Sequence, residues 1–369
     1  EKMVELRKGK MSAEDCRAAL SKGNYFGTML VKMGLADSLL GGATYSTADT
    51  VRPALQLVKT KPGNSVVSSC FIMVRPSASG ENEVLAMADC AICIKPTEDE
   101  LVEIAKKNNV RLGVAPDTFL GASVQTAKYI VEQGLIGKPV SCRASISRNY
   151  GIYGEFLPHL CKRGGGIGFD MGGYYLTALA SILGPVKNVA AFTAINDPHR
   201  VNTRIGAPNY GKEYDLEDAN VITATMQYES GVLGTLHMNS DCILDETYSL
   251  VIYGTEGILY MGNPNEFGNP VYIQKTLSGK VEFPLTHGYA ENSRGVGAAE
   301  MAWSILKGRK NRACKEMAYH VFELMHGIMT SAETGKMVTL ESTFETPAGL
   351  PAGYMGDGGW TRKEESALA

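Results

Sequence analysis

The 369-residue sequence has few of the features that mark nucleic-acid-binding or membrane proteins. It contains no dense run of lysine or arginine, and its formal net charge of −3 gives no electrostatic basis for binding a phosphate backbone. Its longest apolar stretches, such as residues 178–183, fall well short of the roughly 20 residues that a membrane-spanning helix needs. We therefore expect neither nucleic acid nor a membrane to be a partner.

Cysteine and histidine are also scarce. The eight cysteines are irregularly spaced, and only Cys90 and Cys93 form a C-x-x-C pair, which favours buried, reduced thiols over a disulfide framework or a zinc site. The six histidines show no metal-ligand spacing. The first twelve residues are rich in charge and lack the apolar core of a signal peptide. These features predict a cytoplasmic protein without a metal centre.

The chain contains enough apolar material for two folded cores. Hydrophobic residues make up 44% and charged residues 20%, which is typical of a folded chain, and 369 residues exceed the usual size of one domain. We predict an α/β fragment at residues 1–104. For residues 105–369 we predict an α+β domain with a large, mostly antiparallel open sheet.

The predicted elements follow from hydrophobic periodicity and turn residues. In the first region, Ser12 and Asp15 are spaced as in a capped helix over residues 12–21, and strands are expected at 65–74 and 83–92. In the second region, we expect strands at 110–116, 139–148, 188–195, 219–228, 231–239, 247–255 and 257–261, and helices at 123–133, 296–307 and 314–333.

The segment STADTVRP, residues 46–53, places the hydroxyls of Ser46 and Thr47 at the start of a predicted helix. Because proline is tolerated in the first turn of a helix, Pro53 places Arg52 near the positive end of the helix dipole. Free backbone N–H groups at such an end favour an anion. The segment fits either a phosphate site or an ordinary capped helix with a solvated arginine.

Residues 24–69, which include this segment, resemble the phosphate acetyltransferase family, and the likeness continues to about residue 105. The resemblance implies that Ser46, Thr47 and Arg52 help to form a cleft for CoA and acetyl phosphate. The family's later serine-containing SYSTKGS-like motif has no counterpart in this sequence. The resemblance therefore predicts only part of an acetyl-transfer site.

A second candidate site lies in GGGIGFDMGGYY, residues 164–175, a glycine-rich loop that leads into a helix. Asp170 is expected to cap this helix, with Tyr174 one turn later on the same side. A carboxylate and a phenol that face one cleft can orient a hydroxyl substrate or relay a proton. The alternative is a capped helix with an amphipathic tyrosine.

The glycine-rich segment, together with residues 110–140, 216–237 and 253–261, resembles the Gfo/Idh/MocA oxidoreductase family from about residue 105 to beyond 345. The resemblance implies a nicotinamide-binding Rossmann domain followed by a domain whose open sheet forms the substrate cleft and subunit contacts, and therefore a homo-oligomer. It also implies NAD(P) as cofactor and a small sugar- or polyol-like hydroxyl substrate. The family's Asp-x-Gly-x-His pattern falls on Asp170, Gly172 and Tyr174, with tyrosine in place of histidine.

The expected dinucleotide signature is missing. Residues 1–104 contain no G-x-G-x-x-G. Lys95 lies in a CIKP segment similar to an oxidoreductase motif, but residues 96–113 are too few for the turn, full helix and strand that follow this motif in the family. Lys95 is therefore interpreted as a coincidental match. We therefore predict an oxidoreductase-family chain whose NAD(P)-dependent activity is impaired because the nucleotide-binding half is absent. The alternatives are a phosphate acetyltransferase that uses CoA, also incomplete, and a non-catalytic chimeric chain that self-associates through its sheet.

Overall fold

The structure is a computed structural model that describes residues 1–39, 47–59, 70–76, 82–88, 112–149, 158–242 and 250–351. The chain forms two compact units, which we call unit 1 (residues 1–111) and unit 2 (residues 112–369). Within the described ranges, no helix is both long enough and apolar enough to cross a membrane. The cellular location stays a prediction, as does the domain boundary near residue 104.

Unit 1 consists of short helices followed by a β-hairpin. Its elements are α1 (Lys2–Arg7), α2 (Ala13–Leu20), α3 (Gly23–Lys32), α4 (Thr47–Pro53), a π-helical turn (Ala54–Val58), β1 (Cys70–Pro76) and β2 (Asn82–Ala88). Strands β1 and β2 pair antiparallel, with Val74 opposite Val84. The outer parts of the two predicted strands, 65–69 and 89–92, lie outside the described residues.

The predicted cap of α2 is present. The Ser12 hydroxyl accepts a hydrogen bond from the Asp15 backbone N–H at 3.0 Å, and the Asp15 carboxylate accepts one from the Ser12 backbone N–H at 3.1 Å. This reciprocal pair satisfies two backbone donors that a helix start leaves without partners. Below it, the described part of unit 1 has a small core of Met3, Cys16, Ala19, Met29 and Leu57.

Unit 2 is built around a large sheet. Its helices are α5 (Ala122–Glu132), α6 (Ile167–Asp170), α7 (Gly172–Leu183), α8 (Val296–Leu306) and α9 (Lys315–Thr334), with 3-10 turns at Thr118–Leu120 and Pro158–Cys161. Its strands are β3 (Pro139–Ser147), β4 (Val186–Ala194), β5 (His199–Val201), β6 (Glu213–Asp215), β7 (Val221–Tyr228), β8 (Leu233–Asn239), β9 (Leu250–Gly254), β10 (Gly257–Met261), β11 (Val271–Lys275), β12 (Val281–Phe283) and β13 (Val338–Thr339).

The nine strands of the main sheet are ordered β12-β11-β10-β9-β3-β8-β7-β4-β13. Of these pairs, only β3 and β8 are parallel, so the predicted large, mostly antiparallel sheet is confirmed. Strands β5 and β6 form a separate hairpin. The sequence patterns did not predict β5, β6 or the three outer strands β11, β12 and β13, because these strands are short and mostly half-exposed.

One face of the sheet is covered and the other is open. In β7, Ile222, Ala224 and Met226 are buried, whereas the alternating residues Thr223 and Thr225 are exposed. This period of two is what a sheet packed on one side requires. The covered face packs against helices, and α9 crosses β4 and contacts α7.

The predicted strand at 110–116 is wrong over its described part. Residues 112–116 make only an isolated bridge, from Gly113 to Cys314. Pro116 has no backbone N–H and cannot continue a ladder of hydrogen bonds. Instead, the Asp117 carboxylate accepts hydrogen bonds from the backbone N–H groups of Gly295 and Gly297, at 2.8 and 3.0 Å, and so caps the start of α8.

Candidate functional site

The glycine-rich segment of unit 2 does not form one continuous helix. It forms α6, breaks at Met171 and resumes as α7, whose N-cap is Met171 without a side-chain hydrogen bond. The expectation that Asp170 caps the helix is therefore wrong, because Asp170 is the last residue of the short helix before the break. Its carboxylate group lies on the exposed surface.

The glycines that precede α6 are held by a carboxylate from the same unit. The backbone N–H groups of Gly164 and Gly166 donate to Asp218 Oδ2 at 2.9 and 3.3 Å, and Gly164 adopts a φ of +77°, which favours glycine. A loop of N–H groups can bind phosphate. In this loop the donors are already used by Asp218, so the run is a structural turn, not a nucleotide loop.

Tyr174 lies in the first turn of α7 and is half-buried. The guanidinium carbon of Arg294 lies 5.7 Å from the centre of its ring, within the range of a cation–π contact. The next residue, Tyr175, is buried, and its hydroxyl donates to Asn263 Oδ1 at 3.2 Å. The start of α7 therefore contacts two loops, residues 262–270 and 284–295.

These two loops line an open, polar cavity of about 430 Å³. It is lined by Asn265, Glu266, Phe267, Gly268, Asn269, Ala290, Glu291, Asn292 and Arg294. Neither Asp170 nor Tyr174 lines it, but Arg294 connects the cavity to the Tyr174 ring. Its volume is within the range of small-molecule sites, about 300–1,000 Å³.

Sequence reasoning did not find this cavity. Its polar side chains come from two loops without hydrophobic periodicity, NPNEFGN at 263–269 and YAENSRG at 289–295. The available signal was compositional, because each loop clusters asparagine and glutamate beside glycine. Such a cluster is also typical of ordinary turns.

Of the three predicted ligand-binding residues of unit 1, the structure describes two, Thr47 and Arg52. Ser46 lies outside the described residues, and Thr47 is the first residue of α4. Arg52 is exposed in the last turn of α4, not at the positive end where the position of Pro53 had placed it. Pro53 is the last α-helical residue, and a π-helical turn over Ala54–Val58 follows it.

Buried titratable groups of unit 2 have structural partners. Burial lowers the pKa of His320, whose Nε2 accepts from the Val186 N–H at 2.9 Å, and it also lowers the pKa of His287. Burial raises the pKa of the Cys142 thiol to about 12. Among the residues that the structure describes, no three potential metal ligands lie together. Lys95, in the CIKP segment, lies outside the described residues.

Comparison with family models confirms both resemblances that the sequence predicts. Residues 1–111 match the model for phosphate acetyl/butaryl transferase, and residues 124–260 match the model for the GFO/IDH/MocA C-terminal domain. The chain therefore carries transferase-family sequence in unit 1 and oxidoreductase-family sequence in unit 2.

Curated relatives support the first match. The phosphate acetyltransferase of Bacillus subtilis (strain 168) is 57% identical over 102 residues, which are 28% of this chain and 30% of that protein. The phosphate acetyltransferase of Acetivibrio thermocellus is 47% identical over 173 residues, 43% of this chain and 52% of that protein. The chain thus spans between about a third and a half of these relatives.

Solved structures share the fold at low sequence identity. An oxidoreductase from Agrobacterium radiobacter, in complex with NAD+, L-tartaric acid and magnesium, matches with a TM-score of 0.51 and 18% identity, over 65% of this chain and 68% of that one. Levoglucosan dehydrogenase, in complex with NADH and L-sorbose, matches with a TM-score of 0.53 and 15% identity, over 66% of this chain and 70% of that one.

Proposed function

We propose that unit 2 is the substrate-binding half of a Gfo/Idh/MocA-type oxidoreductase that acts on a sugar- or polyol-like hydroxyl with NAD(P), and that turnover by this chain is impaired. The observation that carries the proposal is the polar cavity beside Tyr174, at the position where the family pattern places an acid/base residue. The family match over residues 124–260 favours the same class of reaction, as do two structural neighbours, an oxidoreductase in complex with NAD+ and levoglucosan dehydrogenase in complex with NADH and L-sorbose.

Unit 2 would supply the residues that orient the substrate hydroxyl and transfer its proton. Oxidation of a hydroxyl requires a group that takes up its proton. The phenolate form of Tyr174 would take up this proton and become the phenol, and in the reverse reduction the phenol would return it. Arg294 lines the cavity and contacts the Tyr174 ring, so a substrate bound in the cavity would lie close to Tyr174. Asp170, one turn earlier and exposed, would accept a hydrogen bond from the hydroxyl and orient it.

Unit 1 does not fit the nicotinamide cofactor. Residues 1–104 lack G-x-G-x-x-G, and the two described strands of unit 1 pair antiparallel, whereas a Rossmann site lies at the end of parallel strands. We therefore assign no step of the reaction to a cofactor held by this unit. This mismatch is the reason for proposing that turnover is impaired.

The test is NAD(P)H formation by the full chain with a panel of sugars and polyols, at high concentrations of chain and cofactor. We expect slow turnover that Tyr174→Phe reduces about 100-fold, because acid–base groups contribute about that much or more. Asp170→Asn should also reduce it. Tyr260→Phe is the matched control, since the Tyr260 hydroxyl bonds to Gln274 on the sheet. No NAD(P)H from any substrate, or equal rates in Tyr174→Phe and the wild type, would overturn the proposal.

A second candidate function is acetyl transfer between CoA and phosphate through Ser46, Thr47 and Arg52. The 57% identity to the Bacillus subtilis phosphate acetyltransferase favours it, although that match covers 30% of the relative. Formation of acetyl-CoA from acetyl phosphate, measured in a coupled assay, tests it. We expect a rate above the blank that falls in Arg52→Gln, and a rate equal to the blank would remove this candidate.

The third candidate is a non-catalytic chain that self-associates through the open face of the sheet. Phe192 is 81% exposed and Leu233 is 53% exposed on this face, and exposed apolar residues of this size are typical of protein contacts. Light scattering on the purified chain tests this candidate. We expect a dimer or larger species that Phe192→Asp dissociates, and a monodisperse monomer would contradict it.

A further inference from the structure

The cavity between residues 262–270 and 284–295 is preformed. Glu266 accepts hydrogen bonds from the side-chain amides of Asn263 and Asn269, at 3.3 and 3.0 Å, which fixes the first loop. The backbone N–H of Ser123, at the start of α5, donates to the Phe267 carbonyl at 2.9 Å. The Phe267 backbone is therefore tied to the start of α5 and its side chain is packed in the core of unit 2, so the first loop needs little ordering to accept a ligand.

The two loops also approach each other closely. A Cβ atom on Gly268 would lie 2.2 Å from the Ala290 carbonyl oxygen, so only glycine fits at this contact. The second loop is held at its end by Asp117, which binds the Gly295 and Gly297 N–H groups. Both sides of the cavity are thus anchored to helices of unit 2.

The polar groups that line the cavity suit hydroxyl groups. Asn292 offers both amide donors and an acceptor oxygen, and the carboxylates offer further acceptor lone pairs. Asn269 keeps its acceptor oxygen, since its amide group already donates to Asn263 and Glu266, and Asn265 keeps its amide donors, since its oxygen accepts from Arg294. A hydroxyl both donates and accepts, so a ligand with several hydroxyls can pair with neighbouring groups of opposite character.

The charge of the lining disfavours an anion. Glu266 and Glu291 contribute two carboxylates, whereas Arg294 contributes one guanidinium, which leaves a net charge of −1. That guanidinium already donates to Asn265 Oδ1 at 2.6 Å and faces the Tyr174 ring. A carboxylate or phosphate on the ligand would therefore meet two like charges and a single, engaged cation.

We infer that this cavity is the substrate subsite and that it takes neutral, unphosphorylated polyols in preference to sugar acids and sugar phosphates. The inference rests on the proposed function, because it names the substrate class of that site. Of the two glutamates, Glu291 is the specificity-determining residue. Glu266 fixes the first loop through the side-chain amides of Asn263 and Asn269, whereas Glu291 lies exposed at the edge of the cavity.

The test compares sorbitol with gluconate, which differ only in a terminal CH2OH or carboxylate, by calorimetric titration of the full chain without NAD(P). We expect sorbitol to bind several-fold more tightly than gluconate at low salt. Glu291→Gln should improve gluconate binding about threefold and change sorbitol binding much less, because the amide keeps one acceptor oxygen and loses the charge, and the gain for gluconate should shrink as salt screens the charge. Glu333→Gln, on the exposed last turn of α9, is the matched control and should change neither.

Asn292→Trp locates the binding site, because a large side chain at this exposed lining position fills the cavity without disturbing the core. We expect it to abolish sorbitol binding. Tighter binding of gluconate than sorbitol, no binding of either, or sorbitol binding that survives Asn292→Trp would overturn the inference. None of these results depends on NAD(P)H formation, so sorbitol binding without turnover would count against the proposed reaction and not against the subsite.

Discussion

The two units bury apolar residues on very different scales. In the described part of unit 1 the core consists of Met3, Cys16, Ala19, Met29 and Leu57. In unit 2 one continuous cluster extends from Phe119 to Leu350 and includes residues of α5, α7, α9 and the main sheet. Because burial of apolar surface is the main favourable term in folding, we expect unit 2 to be much the more stable.

Exposure in unit 1 supports the same contrast. Phe26 in α3 and Met33, its C-cap, lie seven residues apart and are 54% and 52% exposed. On an amphipathic helix this spacing is typical of a buried face. In the described part of unit 1, this apolar surface therefore adds nothing to the small core.

The largest expected effect separates the two units in one unfolding experiment. Both tryptophans of the chain, Trp303 and Trp360, belong to unit 2, so tryptophan fluorescence reports unit 2 while far-ultraviolet circular dichroism reports both units. In urea we expect circular dichroism to show an early transition that fluorescence lacks. Leu179→Ala, at a fully buried position, should destabilise only the later transition, by about 2–5 kcal/mol.

Leu57→Ala is the matched variant in unit 1, because Leu57 is 1% exposed in the smaller core. It should shift the early transition and leave the fluorescence curve unchanged. Coincident transitions by both probes, with both variants shifting the same curve, would show that the chain unfolds as one cooperative body and would break the contrast between the units.

The next effect compares a buried ion pair with an exposed one. Glu300 is 2% exposed and accepts from the Arg312 guanidinium and backbone N–H, each at 2.9 Å, and it also pairs with Arg309. Glu300→Gln keeps one acceptor oxygen but removes the buried carboxylate charge that pairs with both guanidinium groups. We expect a loss of about 1.5–3 kcal/mol in the later transition.

The exposed counterpart is Glu5, which pairs with Lys2 at 2.8 Å on the surface of α1. Solvent screens this pair, so Glu5→Gln should leave both urea transitions unchanged. A loss from Glu5→Gln as large as that from Glu300→Gln would contradict the assignment of the two environments.

The contrast also explains what could be predicted from the sequence. Strands such as β7 and helices such as α9 were predicted nearly to their ends, because a period of two or 3.6 records which side of an element is buried. The break at Met171 and the polar cavity were not, because they depend on contacts between distant loops. Arg294, for example, meets Tyr174 only through the tertiary fold.

A smaller effect follows from the histidines, all of which lie in unit 2. Burial holds the pKa of His320 and of His287 below the ordinary value near 6.5. When the pH falls below about 6.5, these histidines therefore become protonated in the unfolded chain but stay neutral in the folded chain, which favours unfolding. We expect unit 2 to lose about 1–2 kcal/mol between about pH 7 and about pH 5.5, seen as a lower urea midpoint by fluorescence.

Unit 1 provides the internal control for this pH dependence, since residues 1–111 contain no histidine. Its early transition, followed by circular dichroism, should hold its midpoint over the same interval. An unchanged fluorescence midpoint, or an equal shift of both transitions, would show that the buried histidines do not set the acid response of unit 2.

The smallest effect tests local structure in unit 1. Ser12→Ala removes the hydroxyl that accepts from the Asp15 N–H at 3.0 Å, and we expect a cost of about 0.5–1 kcal/mol in the early transition. Ser21→Ala is the control, because the Ser21 hydroxyl bonds only to a carbonyl at the end of the same helix. If Ser12→Ala instead abolishes the early transition, the small core of unit 1 depends on this one cap, and its helices are at the limit of stability. If neither variant moves that transition, α2 contributes nothing to it, and the difference between the units is larger than their cores imply.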